Sequence, residues 1–175
     1  MRRPSAHLVA WFAAYIVSIA AANWLVHHFG LISIGFGLLV PAGTFAAGAA
    51  LVLRDAVQWN AGRSVVVIAI LIGAGISYVT STPAIAAASA LAFFTSELVD
   101  WAVFTPLSRR NLPLAIVGGS LAAAPVDTIL FLKLAGFGLT WPAVLGQFLV
   151  KTLVSVAAAA VIAYRRRVRA TPVVA

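Results

Sequence analysis

Residues 84–105 read AIAAASALAFFTSELVDWAVFT, an apolar run in which only Glu97 and Asp100 can carry a charge. As a helix rising 1.5 Å per residue it is about 33 Å long, enough to cross the roughly 30 Å hydrocarbon layer of a bilayer. Before it stand Thr82, which can cap, and Pro83, which can open the first turn where a missing N–H costs little. Pro106 and the basic pair Arg109 and Arg110 close it. An ionisable group at mid-membrane costs about 2.5–3.5 kcal/mol even on lenient insertion scales, so such groups mark where function is to be sought.

The rest of the chain repeats this pattern. Of its 175 residues 63% are hydrophobic and only 9% charged, with a mean hydropathy of +1.06. Cutting at Gly, Pro and polar clusters predicts an all-α polytopic membrane protein with six transmembrane helices, at 7–28, 38–57, 64–79, 84–105, 114–133 and 142–164. A Gly-punctuated link at 30–37 precedes the second span, which has Pro41 in its first turn; a basic tail occupies 165–175. Six spans take roughly 120 residues and leave short connections, so catalytic or nucleic-acid-binding domains outside the bilayer are not expected. The first span follows Arg2 and Arg3 and reaches Ala20, Ala21 and Ala22, a passable cleavage pattern, but it continues through Asn23, Trp24, Leu25 and Val26 and reads as a retained helix.

Charge supports the count. The net charge is +8, from 12 Lys and Arg against 4 Asp and Glu. Cytoplasmic ends collect Lys and Arg. With six spans and both termini cytoplasmic, Arg2, Arg3, Arg54, Arg63, Arg109, Arg110, Arg165, Arg166, Arg167 and Arg169 fall on one side. The basic residues are thus topology signals rather than a nucleic-acid surface. Arg54 and Asp55 are read as a local interfacial pair. The absence of cysteine excludes disulfides and thiolate sites. His27 and His28 point about 100° apart on a helix and cannot chelate one metal as i, i+4 ligands do. No metal, cofactor or catalytic residue is expected.

Four ionisable residues stand within spans: Glu97 and Asp100 in the fourth, Asp127 in the fifth and Lys151 in the sixth. Glu97 and Asp100, three apart, share a helix face, with Phe93, Phe94, Trp101 and Phe104 at helical offsets around them. Gln147, Lys151 and Ser155 form a stripe at four-residue spacing. Pro125 deprives the Leu121 carbonyl of its helical donor, and a fifth helix broken there would line a cavity. Three acids against one lysine leave a formal charge of −2, which calls for a proton, a cation or a ligand donor. Asn23 either reads a ligand or braces a neighbouring helix. The simplest alternative is that Lys151 only neutralises an acid and fixes helix packing.

Thr95-Ser96-Glu97-Leu98-Val99-Asp100, continuing through Val103, Phe104 and Arg109-Arg110, resembles the signature of the queuosine precursor transporter family, also called the vitamin uptake transporter (VUT) family. Val126-Asp127-Thr128 with Phe131 resembles the family's Asp-Thr motif in helix five. Gln147 to Lys151 with Leu153, Val154 and Ser155 resembles its lysine-bearing last helix, and Asn23 to Val26 resembles the end of its first. The chain departs from the family pattern at Ala124, where members often carry Asn, at Gly48 or Ala49, where an acid is often seen, and at Glu97, where many have Gln. The resemblance implies import of a 7-deazaguanine such as preQ0, preQ1 or queuine across the inner, or plasma, membrane. It suggests a substrate site drawn from Asn23, Phe94, Glu97, Asp100, Trp101, Asp127, Phe131, Gln147 and Lys151. Glu97 or Asp127 would accept the N1 and 2-amino hydrogens, Lys151 or Gln147 would donate to the ring carbonyl, and Phe94, Trp101 or Phe131 would stack. The expected partners are that small molecule and the lipid bilayer, no nucleic acid, and a further copy of the chain in a homo-oligomer. Two rival readings are a substrate-binding subunit of an energy-coupling-factor importer and a structural membrane protein.

Overall fold

The structure, a computed structural model, describes residues 6–170. Arg2, Arg3, residues 171–175 and the side chains of Arg166 and Arg169 lie outside the described residues, so the terminal part of the topology reading rests on sequence. The element order is α1 (Ala6–Phe29), β1 (Leu31–Gly35), β2 (Leu38–Pro41), α2 (Thr44–Ala61), α3 (Arg63–Thr80), α4 (Pro83–Ser108), α5 (Leu112–Leu134) and α6 (Trp141–Ala170). Five of the six helices, all but α2, are long and apolar enough to cross a membrane. The surface matches that reading: Val17, Leu71, Leu91 and Leu153 are exposed, while Arg54, Asp55, Glu97, Asp100, Asp127 and Lys151 are buried. Apolar side chains outside and charged ones inside fit a protein whose solvent is lipid.

The fold differs from the expected all-helical one between α1 and α2. Leu31, Ile32, Ser33 and Gly35 pair antiparallel with Pro41, Val40, Leu39 and Leu38, with the register shifted at the unpaired Ile34, around a Phe36-Gly37 turn in which both residues have positive φ, the geometry that suits a right-twisted hairpin. The expected helix start at 38 is therefore wrong: Pro41 ends a strand, and α2 begins at Thr44. Gly43 can lie against the backbone of Ala22 only because it has no side chain. This contact brings the start of α2 in beside α1, inside the bundle.

Three further boundaries shift. α4 continues through Pro106 to Ser108 instead of stopping before it. α5 runs unbroken through Pro125, because one lost backbone bond is tolerated where neighbouring turns and helices hold the segment. The basic segment after 164 continues α6 as helix to Ala170. At the α3–α4 turn the Thr82 hydroxyl accepts from the Ile85 N–H at 3.2 Å, with Pro83 in the first turn. Thr82→Ala is expected to cost about 1 kcal/mol, seen as a small drop in the melting temperature of the purified protein; an unchanged melt would show that the cap is idle.

The core has separate apolar clusters. One joins α1, α2, α3 and α4 through Tyr15, Leu51, Ile70 and Phe93; a second gathers Val26, Ala88, Ala92 and Phe131; a third packs Phe104 with Ala115, Ile116 and Ala159. Polar residues fill the layers between them.

Candidate functional site

Two polar layers cross the bundle. Tyr15 and Asn23 on α1, Glu97 and Ser89 on α4, and Gly119 and Asp127 on α5 are each eight positions apart, about 12 Å along a helix. Asn23, Ser89 and Asp127 belong to the layer nearer the hairpin. Tyr15, Glu97 and Gly119 belong to the layer nearer Arg63, Arg109 and Arg110.

The hairpin-side layer contains a pocket with about 320 Å³ of space between atoms, lined by Asn23, Gly43, Thr44, Ser89, Phe93, Asp127, Phe131, Gln147 and Lys151 among others. Little of that space is wide enough for a water molecule. Its charged centre joins α5 to α6. Lys151 Nζ donates to Asp127 Oδ2 at 2.6 Å, to Thr128 Oγ1 at 3.0 Å and to Gln147 Oε1 at 2.9 Å. Those three acceptors satisfy all three ammonium hydrogens. The four-residue spacing of Gln147 and Lys151 makes the third contact possible from one helix face. Gln147 Nε2 remains buried without a partner. Asn23 Nδ2 donates to Ser77 Oγ at 2.8 Å, so it braces α1 against α3 as well as lining the pocket. Ser155 donates to the Lys151 carbonyl at 3.0 Å and is turned back on its own helix. α2 begins at this pocket with Gly43 as its N-cap and no side-chain cap, so its partly positive end faces the ligand space.

The second layer is built around Arg54. Its Nε and Nη2 donate to Asp55 Oδ1 at 3.1 and 2.9 Å. It is also ion-paired with Glu97 Oε2 at 3.1 Å and Asp100 Oδ1 at 2.8 Å. All four side chains are at most 1% exposed. The interfacial reading of Arg54 and Asp55 is therefore corrected: both are buried at the heart of the bundle. One guanidinium against three carboxylates leaves a formal −2, whereas Lys151 and Asp127 balance to zero. An uncompensated buried ion costs several kcal/mol. Asp100 reaches its place past Gly119, where a Cβ would overlap its Oδ1. Gly119→Ala is thus expected to destabilise by about 1–3 kcal/mol through overpacking, read as a lowered melting temperature in detergent; no change would mean that the carboxylate can step aside.

The expected site residues thus divide. Asn23, Asp127, Phe131, Gln147 and Lys151 meet at the pocket, while Glu97 and Asp100 meet at Arg54. Trp101 lies at the second layer's edge, with the Arg63 guanidinium 5.0 Å from its ring centroid. Phe94 is 45% exposed on the outer face of α4 and away from the pocket, so its expected stacking role is not supported. Phe93, one position earlier, lines the pocket instead. Sequence reasoning did not include Phe93, Ser89, Thr44 or Arg54 among the site residues. The signal that could have found Arg54 is an arginine next to an aspartate in an otherwise apolar run.

The family model described as putative vitamin uptake transporter matches residues 9–165. No curated protein and no solved structure matches the chain.

Proposed function

We propose that this chain, which belongs to the putative vitamin uptake transporter family, imports a 7-deazaguanine such as preQ0, preQ1 or queuine through the hairpin-side pocket. It is a multi-pass membrane protein of the plasma membrane; in this reading α2 crosses with the other five helices and both ends are cytoplasmic, on the side of Arg63, Arg109 and Arg110. The observation that carries the substrate reading is the donor and acceptor set of the pocket. Asp127 is the carboxylate there, and a carboxylate can accept paired hydrogens from N1 and the 2-amino group of a guanine-like edge. The free Gln147 Nε2 and the uncapped start of α2 are donors suited to the ring carbonyl. Phe93 and Phe131 supply apolar walls for a flat ring. Asp127, rather than Glu97, takes the acceptor role in this reading, because Glu97 is committed to Arg54.

Because little of the pocket is wide enough even for water, entry of a ring requires the helices to separate in this reading, and alternating access would come from such a motion. Labelled preQ0 uptake by cells producing the protein tests the assignment. Phe131→Ala is expected to lower uptake about tenfold, the equivalent of roughly 1.4 kcal/mol of stacking. Phe94→Ala is expected to leave uptake unchanged. The reverse order of effects would place the ring on the other side of α4 and defeat the pocket assignment. Uptake by the purified protein alone in liposomes separates this reading from a subunit that needs an ATPase module.

A further inference from the structure

The charge of the second layer needs an owner. Arg54 and Asp55 form a fixed pair with two aligned hydrogen bonds to one carboxylate oxygen. The surplus is then carried by Glu97 and Asp100, neighbours on one face of α4. Both touch Arg54 as ion pairs, but no hydrogen bond of good geometry reaches their four oxygens, nor Asp55 Oδ2 and Arg54 Nη1 beside them. Two carboxylates sharing a buried site cannot both stay ionised cheaply. Among the described residues no three acids or histidines have the geometry of a metal site.

A second observation points the same way. Tyr15 is completely buried and its hydroxyl has no hydrogen-bond partner. Its strongest charged neighbour is Glu97, followed by Arg54 and Asp55. The charged and titratable groups of the layer are therefore Tyr15 from α1, Arg54 and Asp55 from α2, and Glu97 and Asp100 from α4. α5 contributes Gly119, with Asp127 one layer away. Asp55 also borders a groove between α1, α2, α5 and α6 that is lined mainly by apolar side chains, with Asn60 and Arg165 as its other polar residues.

We propose that Glu97 and Asp100 form a proton-carrying site separate from the solute pocket. Each step is a simple transfer: a carboxylate takes a proton from water to become the acid, and returns it as the carboxylate. α4 carries both halves of the device, since Ser89 and Phe93 line the pocket and Glu97 and Asp100 lie one and two turns further on. Phe93 also packs in the same cluster as Tyr15, so a shift of α4 on solute entry reaches both.

The proton site is tested without solute, on the purified protein, by infrared spectroscopy across a pH series. The expected result is a protonated carboxylic C=O band near neutral pH that weakens in Glu97→Gln and in Asp100→Asn and is lost in the double variant. A wild-type protein without that band, or a band that survives the double substitution, overturns the proposal. Its coupling half rests on the transport reading and is tested in liposomes holding a pH-sensitive dye. Addition of preQ0 is expected to move protons with the solute; solute movement with no proton movement overturns the coupling while leaving the import reading intact. A lack of any solute movement, with the infrared band present, counts against the import reading and not against the proton site.

Discussion

Replacing Arg54 with methionine is expected to prevent accumulation of folded protein, or to lower its melting temperature more than any other single change to the bundle. The guanidinium is the positive charge that faces Asp55, Glu97 and Asp100, all at most 1% exposed. Removing one partner of a buried ion pair typically costs about 3–5 kcal/mol, because the remaining charge is left without compensation. Here Asp55 loses its fixed partner while Glu97 and Asp100 lose the cation that faces them, and the total stability of a domain is only about 5–15 kcal/mol. Arg54→Lys is expected to fall between, since an ammonium keeps the charge but cannot offer two parallel hydrogens to Asp55 in a fixed plane. Combining Arg54→Met with Asp55→Asn, Glu97→Gln and Asp100→Asn is expected to recover most of the lost stability. Thermal unfolding of the purified variants measures all three. A stable Arg54→Met single variant, or a quadruple variant no better than it, would show that the cluster is not held by this charge balance.

Why Arg54 escaped the sequence reading has a definite physical origin. A second span drawn over 38–57 puts Arg54 one turn from its end, where a snorkelling arginine at an interface is ordinary. The hairpin displaces the helix to Thr44–Ala61, and Arg54 moves to seven positions before its end, deep in the bundle. Two apolar runs around Gly35-Phe36-Gly37 carried that hairpin signal, but within an apolar chain they also resemble a link followed by a helix. Five of the helices were legible as apolar runs because length and composition set them, and the Thr82-Pro83 start was legible because capping is local. Which residues share a face was legible too: Glu97 with Asp100, and Gln147 with Lys151.

Depth along the bundle was not legible. Helical spacing tells that Glu97 and Asp127 both point inward, but not that their helices are staggered so that the two acids lie in different layers. The choice between Phe93 and Phe94 fails for a related reason. They lie three and four positions before Glu97, offsets that share its face about equally well, and only the packing of α4 against α1 and α5 decides which one turns inward. Pro125 was read as a break because a lost backbone bond costs energy in isolation; the neighbouring turns of α5 carry the helix through it.

The second large effect concerns Lys151. Lys151→Ala is expected to abolish preQ0 uptake, at least about a hundredfold below the unsubstituted protein, even where the variant still inserts. The lysine holds Asp127, Thr128 and Gln147 with one ammonium group, so its loss frees Gln147 and leaves Asp127 as an unpaired ion among apolar walls. Breaking such a pair costs about 3–5 kcal/mol of folding stability, and the loss of order among these groups is expected to cost the bound state at least about 2.8 kcal/mol, two factors of ten. A structural role alone makes a different forecast. If the pair only fixes packing, Lys151→Met with Asp127→Asn, which removes both charges, should restore uptake along with stability. If the pocket recognises the solute through these groups, the double variant should melt like the unsubstituted protein and still fail to bind preQ0. Melting temperature and preQ0-dependent thermal shift, measured on the same samples, separate the two: a double variant that transports normally would reduce Lys151 and Asp127 to a structural brace.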